Sequence, residues 1–137
     1  MKEQPYLITL PNVNSKSGQL SFLQEGTNLP IQIKRAYWIY DVEEDIVRGG
    51  HAHANSDRIL VCVKGSVEVS LENKTGNKFT FALEDPYKAL YFPRLHWIHM
   101  AMTARSIVIA FSSCVFEEDV MIKDYADFKR FNLERYV

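Results

Sequence analysis

Arg48-Gly49-Gly50-His51-Ala52-His53 is the stretch on which the reading of this chain turns. In an extended backbone, residues two apart point to the same face, so both imidazoles project into one space. Ala52 faces the other way and is small enough to pack closely. Gly49 and Gly50 permit a sharp turn or a close backbone approach just before the pair. An isolated His-x-His also occurs as a fragment of a metal site or on a plain surface, so its surroundings decide its meaning.

Those surroundings alternate with period two. Val67, Val69 and Leu71 alternate with Ser66, Glu68, Ser70 and Glu72, a half-buried strand. Phe79, Phe81 and Leu83 alternate with Thr80 and Ala82, and Asn73–Asn77 between the two runs suits a hairpin loop. Punctuation recurs at Gly49-Gly50, Lys64-Gly65, Glu84-Asp85-Pro86 and Pro93, and short strands between such turns argue for a sandwich or barrel. Further strands are expected at Leu20–Leu23, Ile31–Tyr40, Ile59–Lys64, Ala89–Phe92, His99–Thr103 and Ile107–Ser112. Only the end reads as helix: Asp124 is a reasonable N-cap, and Tyr125, Phe128, Phe131 and Asn132 fall on one side.

Composition narrows the classes. The 137 residues are 47% hydrophobic and 24% charged, an ordinary globular balance for one domain over residues 1–137. Sixteen basic residues oppose seventeen acidic ones without clustering, which argues against a nucleic-acid partner. The opening MKEQPYLITLPNVNSK lacks the apolar core of a signal peptide, and no later stretch approaches the length of a bilayer span. Cys62 and Cys114 sit in apolar runs and read as core thiols. A cytoplasmic protein with no membrane partner is the expectation.

Gly65 follows His53 by twelve residues, and Pro93 opens a second element that would face the first. This resembles the two-motif pattern of cupins: His-x-His, four residues, Glu, six residues, Gly, then Pro-x-Gly-x-x-His. The resemblance implies an all-β, cupin-type (jelly-roll) β-barrel with a short C-terminal helix. In metal-binding cupins the three histidines and the glutamate are ligands. Here Arg58 stands at the glutamate position, Leu95 at the second motif's glycine and Ile98 at the third histidine. An arginine cannot be deprotonated to hold a cation, an isoleucine offers no ligand, and two imidazoles alone make a poor metal site. A metal is therefore disfavoured, unless His96 or His99 supplies a third ligand through a shift of register.

Histidine titrates near neutrality, so one imidazole can accept a proton while its neighbour donates one. Such a pair suits proton movement beside a carbonyl, where a base removes the α-proton and a donor stabilises the enolate oxygen. An isomerisation of this kind needs no cofactor.

A closer resemblance runs from about Ile31 to Phe131. It is carried by Lys34-Arg35-Ala36-Tyr37-Trp38-Ile39-Tyr40, Arg48–His53, Val61-Cys62-Val63-Lys64-Gly65-Ser66, Leu90-Tyr91-Phe92-Pro93 with Trp97, and Ile122-Lys123-Asp124-Tyr125-Ala126-Asp127-Phe128. Together these are similar to the dTDP-sugar 3,4-ketoisomerases, cupins that make precursors of 3-amino-3,6-dideoxyhexoses for bacterial surface glycans such as lipopolysaccharide and S-layer glycan. The resemblance implies a dTDP-4-keto-6-deoxyglucose-type substrate, a 3-keto product, no metal, and a homodimer with exchanged N-terminal strands. The N-terminal twenty residues or so are then the segment that pairs with a partner subunit.

By position, the resemblance makes His51 and His53 the proton carriers, and Tyr37 a group that polarises the C4 oxygen or relays a proton. Arg48 and Arg35 would meet the pyrophosphate, Trp97 and Tyr91 would stack on sugar or thymine, and Arg58 would adjust the pocket's charge. Plainer readings stand beside these: Tyr37, Trp97 and Tyr91 as packed aromatics, and Arg35 as a solvated strand residue. The chain departs from the pattern at Arg58, where many relatives carry glutamine, at His99, and at Val120-Met121, where Asp-Tyr is more usual. A nucleotide-sugar epimerase on the same fold, a metal-dependent oxygenase and a non-catalytic sugar-binding cupin are the competing functions.

Overall fold

The computed structural model describes residues 3–44 and 46–132. These fold into two five-stranded antiparallel sheets, a separate hairpin and a short C-terminal helix. The first sheet runs in the order β1 (Tyr6–Thr9), β9 (Lys88–Phe92), β6 (Arg58–Lys64), β11 (Ile107–Ser112), β4 (Arg35–Ile39). The second runs β12 (Met121–Ile122), β5 (Ile46–His53), β10 (His96–Met102), β7 (Val67–Asn73), β8 (Lys78–Leu83). Neighbours distant in sequence make this a jelly roll of the cupin type. Hydrogen bonding keeps the sheets apart as two ladders, so the expected barrel takes the form of a flattened, two-sheet one.

The core lies between the sheets. Leu60, Cys62, Leu90 and Val108 of the first sheet meet Val69, Leu71, Ile98 and Met100 of the second. Each such side chain, fully buried, contributes roughly 1.5–3 kcal/mol of transfer free energy. The alternate residues of β6, Ile59 and Val61, are also buried, against Leu10, Ile31, Ala89 and Tyr91 on the sheet's other face. Burial on both faces explains why β6 is a continuous apolar run and not an alternating one. On the second sheet's outer face, α1 (Tyr125–Arg130) presses Phe128 onto Trp97, Ala52 and Ile122. Asp124 caps this helix by accepting the Asp127 N–H at 2.9 Å, as its sequence suggests.

The bounds of three strands differ from their sequence expectation: β4 covers only Arg35–Ile39 of Ile31–Tyr40, the strand expected at Leu20–Leu23 runs instead over Gly18–Ser21, and the third lies after Pro93. The strand expected at His99–Thr103 begins at His96, because the turn after Pro93 is completed by Leu95 in the left-handed region, φ 58°. A leucine thus takes the conformation for which the cupin pattern uses glycine. At the N-terminus, β1 pairs with β9 of its own chain, Tyr6 opposite Tyr91. The hairpin of β2 (Asn12–Ser15) and β3 (Gly18–Ser21) instead forms a two-stranded sheet of its own, exposing Val13 and Leu20.

Candidate active site

A cavity of about 750 Å³ opens between the sheets, lined by β4, β5, β6 and the segment before β12. The Gly49-Gly50 pair shapes it. Along β5 and β10, Ile98 pairs with His51 but His99 pairs with Gly49, so Gly50 is the extra residue of a bulge. Both glycines have positive φ, 112° and 71°. A Cβ on Gly49 would lie 2.9 Å from the His99 Cα and closer still to the Ile98 carbonyl oxygen. Ile98 and Met100 line the cavity, and their partners are His51 and Arg48. Directly opposed residues share a face, so the bulge brings Arg48 to the same side as His51 and His53.

The two imidazoles meet edge to face, ring centroids 4.9 Å apart. Burial first, and then the neighbouring His53, lower the His51 pKa from 6.5 to about 4, while a backbone hydrogen bond with Gly49 offsets part of this. Burial also lowers the His53 pKa, against the opposing hydrogen bond with Asp119. Both rings are therefore neutral at pH 7, each with a lone pair to offer.

A polar network surrounds His53. Its Nδ1 lies 3.1 Å from Asp119 Oδ1 and 2.9 Å from Arg58 Nη2. Arg58, only 1% exposed, also donates from Nη2 to Asp119 Oδ2 at 2.7 Å and from Nη1 to the Tyr37 hydroxyl at 2.7 Å. Ser56 Oγ donates to Asp119 Oδ1 at 3.3 Å, and Arg35 reaches Asp119 Oδ2 at the same distance. Burial works against charge on Asp119, but the His53 hydrogen bond and the Arg58 guanidinium outweigh it and hold the carboxyl below its usual range. Because Arg58 can only donate, the Tyr37 oxygen must accept, and the phenol's own hydrogen is left for another partner.

A TDP-4-oxo-6-deoxy-alpha-D-glucose-3,4-oxoisomerase from Aneurinibacillus thermoaerophilus is 30% identical over 135 residues, 94% of this chain and 96% of that protein. The family model described as FdtA: WxcM-like, C-terminal, matches residues 3–132. The chain belongs to this family of cupin-fold sugar 3,4-ketoisomerases.

Solved structures of the family are similar throughout. QdtA, a sugar 3,4-ketoisomerase from Thermoanaerobacterium thermosaccharolyticum crystallised with TDP, is 29% identical, with a TM-score of 0.86 and 100% of both chains covered. The WlaRB TDP-quinovose 3,4-ketoisomerase from Campylobacter jejuni is 26% identical, with a TM-score of 0.86, covering 93% of this chain and 98% of that one.

Within this ketoisomerase-family chain, His51, His53, Tyr37, Arg35, Arg48 and Arg58 all line the one cavity. Tyr91 and Trp97 do not. On β9, Leu90 and Phe92 face the intersheet core, so Tyr91 faces outward, fully buried against Tyr6 with ring centroids 5.1 Å apart. On β10, Ile98 faces the cavity, so Trp97 turns outward onto Phe128 and Tyr125. Both side chains point away from this cavity, as period two requires.

Neither expected replacement ligand joins the histidine pair. His99 lies on the outer face, accepting the Trp97 indole N–H at 3.2 Å. His96 is buried beside Phe79, with Nδ1 3.1 Å from the Arg94 carbonyl. Among the described residues no group of three or more His, Cys, Asp or Glu is placed to hold a metal ion. The residues present do not fit one: a cation on His53 would share a buried space with the Arg58 guanidinium, 2.9 Å from the same ring.

Sequence reading missed Asp119 and Phe116. Asp119 ends the run Glu117-Glu118-Asp119, which resembles any solvated acidic turn, and sits 66 residues from its partner His53. Phe116 is 73% exposed at the cavity mouth, with the Arg35 guanidinium 5.5 Å from its ring centre. Nothing local in the sequence marks either.

Proposed function

We propose that this chain moves the ketone of a dTDP-4-keto-6-deoxyhexose from C4 to C3 by proton transfers through an enediol. The step requires one group to carry a proton between carbons and two to manage the oxygens. A base takes the C3 proton while a donor gives hydrogen to O4. The O3 hydrogen then leaves, and the carbon proton is delivered to C4. The observation that carries the reading is that one cavity wall holds three such groups of complementary kind: His51, His53 and Tyr37.

His51, kept neutral by burial and anchored at Gly49, is suited to the carbon proton. Tyr37, its oxygen engaged by Arg58, is suited to donate to O4, the guanidinium then stabilising the phenolate. His53 takes the O3 hydrogen, and Asp119 stabilises the imidazolium so formed; as the product leaves, His53 gives up this proton and the Tyr37 phenolate regains one through solvent, which restores both groups. Arg35 and Arg48 stand at the mouth for the pyrophosphate, and Arg35 Nε is a buried donor with no partner among the described residues. A structural neighbour supports the substrate class: a His-to-Asn variant of QdtA was crystallised with TDP-4-keto-6-deoxyglucose.

The same reading extends to a homodimer, in which a partner subunit covers the exposed Val13 and Leu20 of the β2–β3 hairpin. It also extends to a cytoplasmic role making precursors of 3-amino-3,6-dideoxy sugars; no helix among the described residues is long and apolar enough to cross a membrane.

The test is to incubate the purified protein with dTDP-4-keto-6-deoxyglucose in D₂O and follow the ring protons by NMR. A 3-keto product is expected, abolished in His51→Asn and strongly slowed in His53→Asn. A product that keeps its C4 ketone with inverted ring stereochemistry would make the protein an epimerase, and binding without any exchange would make it a non-catalytic sugar binder.

A further inference from the structure

Two buried charges in the cavity wall, the guanidinium of Arg58 and the carboxylate of Asp119, do more than stabilise the charges formed in the steps above. They compete for one atom. His53 Nδ1 is within reach of Asp119 Oδ1 at 3.1 Å and of Arg58 Nη2 at 2.9 Å. If Nδ1 carries a hydrogen it gives it to Asp119; if it carries a lone pair it takes one from Arg58. Both cannot hold at once.

The contact between His53 Nδ1 and Asp119 Oδ1 decides between them. Arg58 Nη2 has two hydrogens and three acceptors in reach, Asp119 Oδ2 at 2.7 Å, Ser56 Oγ at 3.3 Å and His53 Nδ1, and Arg58 Nε also reaches Ser56 Oγ at 3.4 Å, so the guanidinium's own hydrogens can be placed either way. With a hydrogen on Nδ1, His53 serves Oδ1 while Nη2 serves Oδ2 and Ser56. Without it, Oδ1 and Nδ1 face each other across 3.1 Å as two acceptors, their side chains each 6% exposed and beyond the help of bulk water.

We infer that Asp119 is a positioning residue, which holds His53 as the Nδ1–H tautomer against the pull of Arg58 and so leaves the lone pair on Nε2. Arg58 has the reciprocal task at Tyr37, whose oxygen it occupies at 2.7 Å, making the phenol a donor. One ion pair therefore sets the direction of both oxygen-side protons: the histidine accepts and the tyrosine gives. What those protons do rests on the ketoisomerase reading; the tautomer itself does not.

The substitution that isolates the effect is Asp119→Asn. An amide beside Arg58 turns its oxygen to the guanidinium and its NH₂ toward Nδ1, so His53 must move its hydrogen to Nε2 and can no longer accept there. Arg58→Gln leaves Asp119 in place, so the tautomer should survive while Tyr37 loses its partner.

The experiment is two-bond ¹⁵N–¹H correlation on ¹⁵N-histidine-labelled protein, with His53→Gln assigning the signal, alongside turnover of dTDP-4-keto-6-deoxyglucose. The parent and Arg58→Gln should show His53 protonated at Nδ1, and Asp119→Asn at Nε2. In Asp119→Asn, kcat should fall roughly 10²–10⁴-fold with KM little changed, the pattern of an imidazole held in the wrong tautomer. A parent spectrum with the hydrogen on Nε2 overturns the inference, whether or not any variant folds. So does an Asp119→Asn protein that keeps both tautomer and kcat. An Nδ1–H parent that turns over no keto sugar would overturn the proposed reaction instead.

Discussion

Arg48 and His51 share the cavity wall although they lie three positions apart in an extended strand. Period two alone would send them to opposite faces; the extra residue at Gly50 returns them to one. The bulge is therefore part of the site, and each of its glycines has a distinct reason to be there.

Gly49→Ala and Gly50→Ala should separate those reasons. Both positions have positive φ, which costs a side-chain-bearing residue about 1–2 kcal/mol. At Gly50 the new methyl finds only the His99 ring at 3.7 Å, an ordinary contact. At Gly49 it meets the backbone of Ile98 and His99, which cannot yield without shifting β10. Urea denaturation should show Gly49→Ala as clearly the more destabilised, with its activity lost; equal midpoints would mean that the two glycines are interchangeable in the bulge.

Much of the site is legible in the residue pattern alone, and the reason is periodicity. The His-x-His pair, the short strands and the Asp124 cap each rest on local rules that the fold obeys. The same rule takes Tyr91 and Trp97 out of the pocket: each sits one residue from a side chain on the inner face, Phe92 and Ile98, and so must face away. Asp119 is illegible for a different cause. Its role depends on β12 pairing with β5, Met121 opposite His53, a register fixed only by the finished sheet.

The two tyrosines offer a direct check of that placement. Tyr37→Phe removes the acceptor of a buried guanidinium and the proposed donor to O4, so turnover should fall about 10²–10⁴-fold. Tyr91→Phe lies behind the sheet, where burial raises the phenol pKa well above its usual range, and should turn over substrate like the parent. Steady-state kinetics on the pair decides it. A Tyr91→Phe defect equal to that of Tyr37→Phe would contradict a purely packing role for Tyr91.

Stability should weaken as the pH falls from 6.5 toward 4. The folded state holds His51 neutral down to about 4, whereas an unfolded histidine binds its proton near 6.5. Between those values the unfolded chain carries more protons, so lowering the pH favours it. Burial lowers the pKa of His53 and of His96 too, adding in the same direction. Asp119 cannot explain such a loss, because its folded pKa lies below 3.8 and its contribution disappears only as the pH falls through that lower value. Urea midpoints at pH 7 and pH 4.5 should differ, and the difference should shrink in His51→Gln. An unchanged difference in that variant would mean His51 is not held neutral.

Arg48 and Arg35 both face the cavity mouth but should fail differently. Arg48 is exposed and joins no ion pair with another described residue, so in the proposed reaction its work is confined to the incoming anion. Losing one charge-assisted contact of about 1.5–3 kcal/mol predicts a KM increase of about 10- to 100-fold in Arg48→Ala, with kcat preserved. Its binding should also lose part of its salt sensitivity. Arg35 is tied into the wall, 3.3 Å from Asp119 and stacked 5.2 Å from the Tyr37 ring centre. Removing it disturbs the carboxylate beside His53 and the ring proposed to donate to O4, so kcat should fall together with affinity. Kinetics at two ionic strengths distinguishes them: if Arg48→Ala lowers kcat as much as Arg35→Ala does, the division between an anion-binding rim and a proton-transfer wall is wrong.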